Sequence, residues 1–164
     1  MQVIKFGGSS VASAENINKV VDIVKSKHNT GTIVLVVSAL GGITDLLLQC
    51  AHLAAAGNET YKTVLQEIES RHLNTVKELL PVTQQSSVLS SVKKSCNEIE
   101  DICNGIFLLE ELSDRTKDKI VSYGELISSQ IITAKLKAEG VDAEWKDSRT
   151  FIFTDSNFGA ANHQ

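Results

Sequence analysis

Residues 5–10 read KFGGSS, so a lysine, two glycines and two hydroxyls follow a short apolar run. Glycines have no Cβ and let backbone N–H groups approach a phosphate, while a lysine can neutralise charge on a transferring phosphoryl group. The spacing matches neither GxGxxG nor GxxxxGK[ST], the two common nucleotide-binding motifs. Lys5, Gly7, Gly8 and Ser9 are candidate phosphate-binding residues. A structural turn beside a surface lysine is the alternative, and the motif alone leaves both open.

Residues 38–45, SALGGITD, again place glycines and hydroxyls between an apolar run and a helical pattern. In a parallel α/β sheet such a turn lies at the carboxyl edge, where ligands bind. Small hydroxyls can hydrogen-bond an anion there, and the N-terminus of the following helix favours negative charge. Ser38 and Thr44 are therefore candidate anion-binding residues. The alternative is that Thr44 or a neighbour only caps the helix.

A third candidate, Gly124-Glu125, lies inside a strongly helical pattern. Glycine lowers helix propensity, so another part of the molecule is expected to approach the backbone at this point. Glu125 could pair with the ammonium group of a substrate, or it could be solvated. Taken alone, this residue favours the solvated interpretation.

Alternating strand and helix patterns provide the scaffold for these segments. Residues 2–6 form a β-rich run, and Ser13 can cap a helix that extends towards Gly31. Residues 32–37 are continuously apolar and β-branched, which is typical of a strand covered on both faces. A second helix begins near Ile43. The order β-α-β-α predicts an α/β fold with parallel strands joined by right-handed crossovers.

The second half of the chain is mostly helical in pattern. Residues 60–80 predict a long amphipathic helix that ends at Pro81, and residues 89–106 predict its antiparallel partner. This hairpin could form a dimeric coiled coil, but packing against the rest of the chain is the simpler interpretation. A further helix is predicted from Ser113 to near Gly140. Residues 141–145 predict a strand, and residues 151–153 a second one.

Composition excludes several classes of protein. The 164 residues are 42% hydrophobic and 22% charged, which suits one compact globular domain. A net charge of −4 without a dense Lys/Arg stretch argues against nucleic acid and membranes as partners. No apolar run reaches the thickness of a bilayer and no signal peptide is evident, so we expect a cytoplasmic protein. The three cysteines lack CxxC spacing, which favours buried, reduced thiols over disulfides or a metal site.

Taken together, the candidate segments resemble the aspartate kinase family. Residues 5–11, 37–45 and 122–125 stand in the order and approximate spacing of its motifs, and the similarity continues through residues 149–159. The resemblance covers essentially the whole chain. It implies a three-layer α/β/α amino-acid-kinase-like fold with a mainly parallel sheet. Residues 1–164 would be the N-terminal part of the kinase domain, with a helical insertion at about 58–112.

The same resemblance implies an activity and a role for each residue. The activity is ATP-dependent phosphorylation of the side-chain carboxylate of L-aspartate to 4-phospho-L-aspartate, which leads to lysine, threonine and methionine. Lys5 would contact the transferring phosphate as the catalytic residue. The phosphate side would be lined by Gly7, Gly8 and Ser9. Ser38 and Thr44 would hold the carboxylates of aspartate, Glu125 would hold its ammonium, and Mg²⁺ would bridge the ATP phosphates.

Two positions depart from the family pattern. Ser9 replaces the usual threonine and keeps the hydroxyl, whereas Leu126 replaces a frequent arginine. The resemblance also implies that most of the nucleotide site lies beyond these 164 residues, so we expect the chain alone to be inactive. A homo-oligomeric full-length protein is a further expectation. Some family members are fused to homoserine dehydrogenase, and the helical hairpin is compatible with such a fusion without establishing it. The alternatives are a kinase for another carboxylate or carbamate, such as glutamate, and a non-catalytic α/β ligand-binding domain.

Overall fold

The computed structural model describes residues 1–28 and 31–162. Two strands, β1 (Gln2–Phe6) and β2 (Ile33–Val37), pair in parallel with Phe6 opposite Val37. Their equal register brings both carboxyl ends to the same edge of the sheet. The predicted parallel pairing is therefore confirmed, and with it the expectation that the turns after both strands are neighbours.

The two faces of this sheet differ in exposure. Ile4 and Leu35 lie on the face that packs against helices, whereas Val3, Val34 and Val36 lie on the opposite face and are 66%, 43% and 43% exposed. The prediction that the second strand is covered on both faces is wrong for the described residues. The apolar run predicts the strand correctly, but it cannot show which segment covers each face.

Helix α1 (Ala14–His28) joins the strands, and α2 (Ile43–Ala55) follows β2. The Oγ of Ser13 accepts a hydrogen bond from the Asn16 N–H at 3.2 Å, so the predicted cap of α1 is confirmed. The buried side of α1 consists of Ala14, Ile17, Val20, Val21 and Val24. This side covers the packed face of the sheet, as the helical spacing predicts.

Helices α3 (Tyr61–Leu79) and α4 (Val82–Leu109) form an antiparallel hairpin, joined at Leu80 and Pro81. Proline has no N–H and cannot continue α3, but it is well suited to precede a helix. Both helices pack against α2, and α4 also packs against α5 (Asp114–Ala138). The interpretation that the hairpin packs on its own chain is confirmed. Its status as an insertion in a larger domain stays a prediction.

All three cysteines are free and buried, as expected from their spacing. The sulfurs of Cys50 on α2 and Cys103 on α4 lie 3.5 Å apart, and this contact together with burial raises the pKa of the Cys50 thiol. Burial raises the pKa of Cys96 to about 12. Because the thiolate is the reactive form, Cys50 and Cys96 are core residues rather than nucleophiles.

The predicted strands at residues 141–145 and 151–153 are wrong, since neither segment is a strand in the structure. Burial still alternates, with Val141, Ala143 and Trp145 half-buried between exposed neighbours. The Trp145 Nε1 donates a hydrogen bond to the Ser129 Oγ at 2.9 Å. The alternating burial thus comes from an extended segment that lies on helices. A β-strand also needs a hydrogen-bonded neighbouring strand. Among the described residues no helix is long and apolar enough to cross a membrane.

Candidate active site

The first and second candidate segments meet directly at the ends of the strands. The Ser38 N–H donates a hydrogen bond to the Phe6 carbonyl at 3.1 Å, which extends the parallel ladder by one step. Beyond it, a Cβ added to Gly41 would lie 2.7 Å from the Cβ of Ala12 and 3.5 Å from the Gly8 carbonyl oxygen. The two turns are therefore in van der Waals contact, and only glycine fits at position 41.

The two glycines of the first turn are loosely surrounded, and Gly7 has open space beside it. Gly7 precedes a short 3₁₀ helix (Gly8–Val11), and its carbonyl accepts a hydrogen bond from the Ser10 N–H at 2.9 Å. A Cβ on Gly7 would meet nothing within 4 Å, and one on Gly8 would make ordinary contact with the Ala39 carbonyl at 3.6 Å. Contacts within the described chain do not require either glycine. Close approach of a phosphate to the backbone would explain why glycine occupies both positions.

Lys5 and Ser9 lie beside this turn. Lys5 pairs with Val36 in the sheet and projects from the exposed face, one residue before the strand ends. Within residues 1–28 and 31–162, its ammonium makes no ion pair with a carboxylate of the chain. Ser9 is exposed, and its carbonyl accepts a hydrogen bond from the Asn16 amide at 3.0 Å. The described chain thus leaves both the cation and the hydroxyl available for a ligand.

The second turn places Thr44 in the first turn of α2. Gly42 is the N-cap residue with φ 77°, a left-handed conformation that favours glycine. No side chain caps this helix, so the interpretation of Thr44 as a cap is not what the structure shows. Across the described chain, neither the Ser38 nor the Thr44 hydroxyl is engaged by another residue. Both side chains are half-buried, which suits groups that contact a small ligand.

The third segment packs on the second. A Cβ added to Gly124 would lie 2.7 Å from the Cβ of Ala39, so the expected close approach is made by the residue after Ser38. The Ser128 hydroxyl donates to the Ser38 carbonyl at 2.6 Å. Glu125 is half-buried, and its Oε1 accepts from the Ala39 N–H at a long 3.4 Å. The Glu125 carboxylate is therefore only partly solvated and lies against the second turn, and its role in binding stays a prediction.

Substituting Gly124 tests this contact. We expect Gly124→Ala to lower the free energy of unfolding by about 1–2 kcal/mol, because overpacking costs more than the gain of about 1 kcal/mol in helix propensity. Urea unfolding measures the change. Ala39→Gly removes the opposing methyl and should relieve most of the loss in the double variant.

Gly105→Ala is a matched control for Gly124→Ala. Gly105 lies in α4, and a Cβ there would meet nothing within 4 Å. We expect this variant to be more stable than the wild type by about 0.5–1 kcal/mol. Equal effects of the two alanines would contradict the close packing of Gly124 on Ala39.

Tyr123 holds this part of α5 against the hairpin. Its hydroxyl donates to the Glu98 Oε2 on α4 at 2.9 Å, and burial together with this carboxylate raises the pKa of Tyr123 to about 12. The phenol therefore stays protonated at neutral pH and keeps the hydrogen bond. The contact fixes the helix beside the Gly124-Glu125 pair.

The sequence pattern missed two residues at this edge. Ser128 bonds the Ser38 carbonyl, and Arg71 of α3 donates from Nη2 to the Gly41 carbonyl at 2.5 Å. Ser128 lies one helical turn after Gly124, so helical spacing could have indicated it. Arg71 comes from the hairpin, 30 residues beyond Gly41, and no local signal indicates its position.

The strand ends, the glycine turns and the helix carrying Glu125 together define an α/β domain with a candidate site for an anionic ligand at one sheet edge. A family model described as the amino acid kinase family matches residues 1–163. The chain belongs to the amino acid kinase family.

Particular relatives narrow the comparison to aspartokinases. Aspartokinase 1, chloroplastic, of Arabidopsis thaliana is 37% identical in an alignment of 158 residues that covers 93% of this chain and 26% of that protein. Bifunctional aspartokinase/homoserine dehydrogenase 1, chloroplastic, of the same plant is 29% identical over 92% of this chain and 16% of that protein. The chain thus spans about a quarter or less of these relatives' length.

A solved structure shows the same fold. The crystal structure of Escherichia coli aspartokinase III in complex with aspartate and ADP superposes with a TM-score of 0.88 at 28% identity. The match covers 100% of this chain and 35% of the other. The aspartate kinase resemblance seen in the sequence and the predicted amino-acid-kinase-like α/β fold are both confirmed.

Proposed function

We propose that this chain provides the amino-acid-binding part and part of the phosphate-binding site of an ATP-dependent aspartate kinase. The observation that carries the proposal is the meeting of three separate segments at one sheet edge. Ser38 contacts Phe6 and Ser128, while Ala39 lies against Gly124. The matched E. coli enzyme was crystallised in complex with aspartate and ADP, which supports the choice of substrates.

Each group of the substrate has a proposed partner at this edge. Glu125 binds the ammonium of L-aspartate, because an anion is the complement of that group. Ser38 and Thr44 donate hydrogen bonds to its carboxylates. Their hydroxyls have no competing partner in the described part of the chain, which supports this assignment.

The phosphate groups of ATP bind on the side of the first turn. Lys5 neutralises charge on the transferring phosphoryl group. Backbone N–H groups near Gly7 and Gly8 and the Ser9 hydroxyl bind phosphate oxygens, and the open space beside Gly7 supports this role. The exposed side chain of Lys5 at the end of β1 is consistent with contact to a ligand rather than to the core.

The proposed reaction forms a bond between a side-chain carboxylate oxygen of aspartate and the γ-phosphorus of ATP. The bond from that phosphorus to the β–γ bridging oxygen breaks, and ADP leaves with the electron pair. A carboxylate is already deprotonated at neutral pH, so no general base is needed. Catalysis then comes from positioning and from neutralising negative charge.

The reaction also requires a place for Mg²⁺. Across residues 1–28 and 31–162, no group of three or more His, Cys, Asp or Glu side chains could hold a metal ion. We propose that Mg²⁺ is bound mainly through the phosphates of ATP, as is usual for this ion.

A substrate panel on the complete protein that the gene encodes tests the function. We expect ATP-dependent formation of an acyl phosphate with L-aspartate, measured as ADP release and by trapping the product with hydroxylamine. L-Glutamate, which is one methylene longer, should react at least about tenfold more slowly. Faster reaction with glutamate would favour the alternative kinase. No reaction with any acid would favour a binding domain.

The oligomeric state and the cellular location of the protein are also proposals. We propose a homo-oligomeric enzyme, whose state can be measured by light scattering on the complete protein. A cytoplasmic location remains the expectation from the sequence, although the two plant relatives are chloroplastic by name.

A further inference from the structure

Arg71 is a residue of the helical hairpin that reaches the second turn. It lies on α3, and its Nη2 donates a hydrogen bond of 2.5 Å to the Gly41 carbonyl. Its Nη1 lies 3.6 Å from the point that a Cβ on Gly42 would occupy. The guanidinium therefore lies against both glycines that connect Ser38 to Thr44.

The Gly41 carbonyl is a group that secondary structure leaves without a partner. The Leu40 carbonyl accepts from the Ile43 N–H at 2.9 Å, and the Gly42 carbonyl accepts from the Leu46 N–H at 3.2 Å. Gly41 lies between them, before the N-cap of α2, so no helical N–H reaches its oxygen. In the described chain, Arg71 provides the hydrogen bond that this carbonyl receives.

The position of this cation is electrostatically unfavourable for the helix itself. Arg71 lies at the N-terminus of α2, where the helix dipole favours anions. Its guanidinium forms no salt bridge with any carboxylate of the described residues. Asp45 stands in the first turn of α2 but is not within salt-bridge distance of the guanidinium, whereas an anionic ligand at the turn would compensate its charge directly.

We infer that Arg71 is a positioning residue that holds the Gly41-Gly42 turn in the shape required for Ser38 and Thr44 to bind the amino-acid substrate. The inference rests on the proposed function. The guanidinium fixes the Gly41 peptide plane, and this plane sets the direction of Gly42 and the start of α2. Arg71 acts through the turn, and its charge favours a substrate that carries two carboxylates.

Kinetics of the complete protein test the positioning role. We expect Arg71→Gln to raise KM for L-aspartate about tenfold, the size of effect expected for a hydrogen bond from a charged donor, and to leave KM for ATP within about twofold. Arg71→Lys keeps the charge and one donor and should restore most of the affinity. Lys77→Gln removes the same charge from an exposed position on α3 and should change neither KM. An unchanged KM for aspartate in Arg71→Gln, or an equal rise in both KM values, would overturn the inference.

Hydrogen exchange separates this inference from the proposed function. The Ile43 N–H donates to the Leu40 carbonyl and the Leu46 N–H to the Gly42 carbonyl. In Arg71→Gln, these two amides should exchange faster than in the wild type, while those in the middle of α5 should not change. Absence of aspartate kinase activity in the wild type would refute the proposed function, and this readout would still report on the turn. Unchanged exchange at Ile43 and Leu46 would overturn the role of Arg71 whatever the activity.

Discussion

Glu125→Gln is expected to lower kcat/KM for L-aspartate about 100-fold in the complete protein. Glutamine keeps the size of the side chain and an acceptor oxygen, but it loses the negative charge that the proposed ammonium contact requires. The only hydrogen bond that the Glu125 carboxylate makes in the described chain is the long one from the Ala39 N–H at 3.4 Å. The folded chain therefore depends little on this charge. Steady-state kinetics at saturating ATP measure the change.

Two measurements separate a loss of binding from a loss of folding. The free energy of unfolding of Glu125→Gln should stay within about 0.5 kcal/mol of the wild type, because a glutamine oxygen can still accept from Ala39. Glu67→Gln removes an exposed carboxylate from α3 and should leave kcat/KM unchanged. A Glu125→Gln enzyme with kcat/KM within about threefold of the wild type would refute the assigned contact to the ammonium.

The sequence is a good guide to the site wherever glycine marks a close approach. Gly124 predicts a neighbour near the backbone, and the neighbour is Ala39. The Gly41-Gly42 pair predicts a turn at the end of a strand, and its tight packing on Ala12 explains why position 41 must be glycine. Such predictions succeed because a glycine inside a helix costs helix propensity and so indicates that another segment comes close, although only the fold shows which segment it is.

Predictions that depend on an unknown neighbour are less successful. The alternation at Val141, Ala143 and Trp145 is correct as a burial pattern, but no strand lies beside it in the described residues. The apolar run of β2 predicts two covered faces, and Val34 and Val36 remain exposed. Period and composition describe one segment, whereas pairing and covering depend on a second.

Arg71 shows the same limit at the site itself. Arg71 is a half-buried residue of the amphipathic helix α3. Nothing in the sequence pattern of this helix indicates that its side chain contacts the Gly41 carbonyl. The contact exists because the hairpin packs on α2, so it follows from the tertiary arrangement of helices. A residue of this kind can be found only once the helices have been placed.

His72, the neighbour of Arg71, is a buried titratable group with a thermodynamic consequence. Its ring is 0% exposed, and Nδ1 lies 2.7 Å from the Ile68 carbonyl, so Nδ1 carries the proton of the neutral ring. Nε2 has no hydrogen-bond partner in the described part of the chain. Burial lowers the pKa of His72 to about 4, from 6.5.

The chain is expected to lose about 2–3 kcal/mol of stability as the pH falls from about 6.5 to about 4. Over this range His72 is protonated in the unfolded chain but stays neutral in the folded chain, because its pKa is lower there. Protonation therefore favours unfolding. Carboxyl groups act at lower pH, since hydrogen bonds from Lys135 and Lys25 lower the pKa of Glu139 from 4.5 to about 2. The range between about 6.5 and 4.5 therefore reports mainly on His72. Urea unfolding at half-unit steps of pH measures the slope.

His72→Phe keeps a ring of similar size and removes the titrating group. The Ile68 carbonyl keeps its helical hydrogen bond from the backbone N–H of residue 72, and the unpartnered Nε2 disappears. We expect this variant to be close to the wild type in stability at pH 7.5, to be more stable than the wild type at pH 5, and to show no slope between 6.5 and 4.5. A slope that persists in His72→Phe would assign the acid sensitivity to other groups. A wild type whose stability does not change over this range would show that protons reach the ring in the folded chain, because a group that binds protons equally in both states cannot shift the equilibrium.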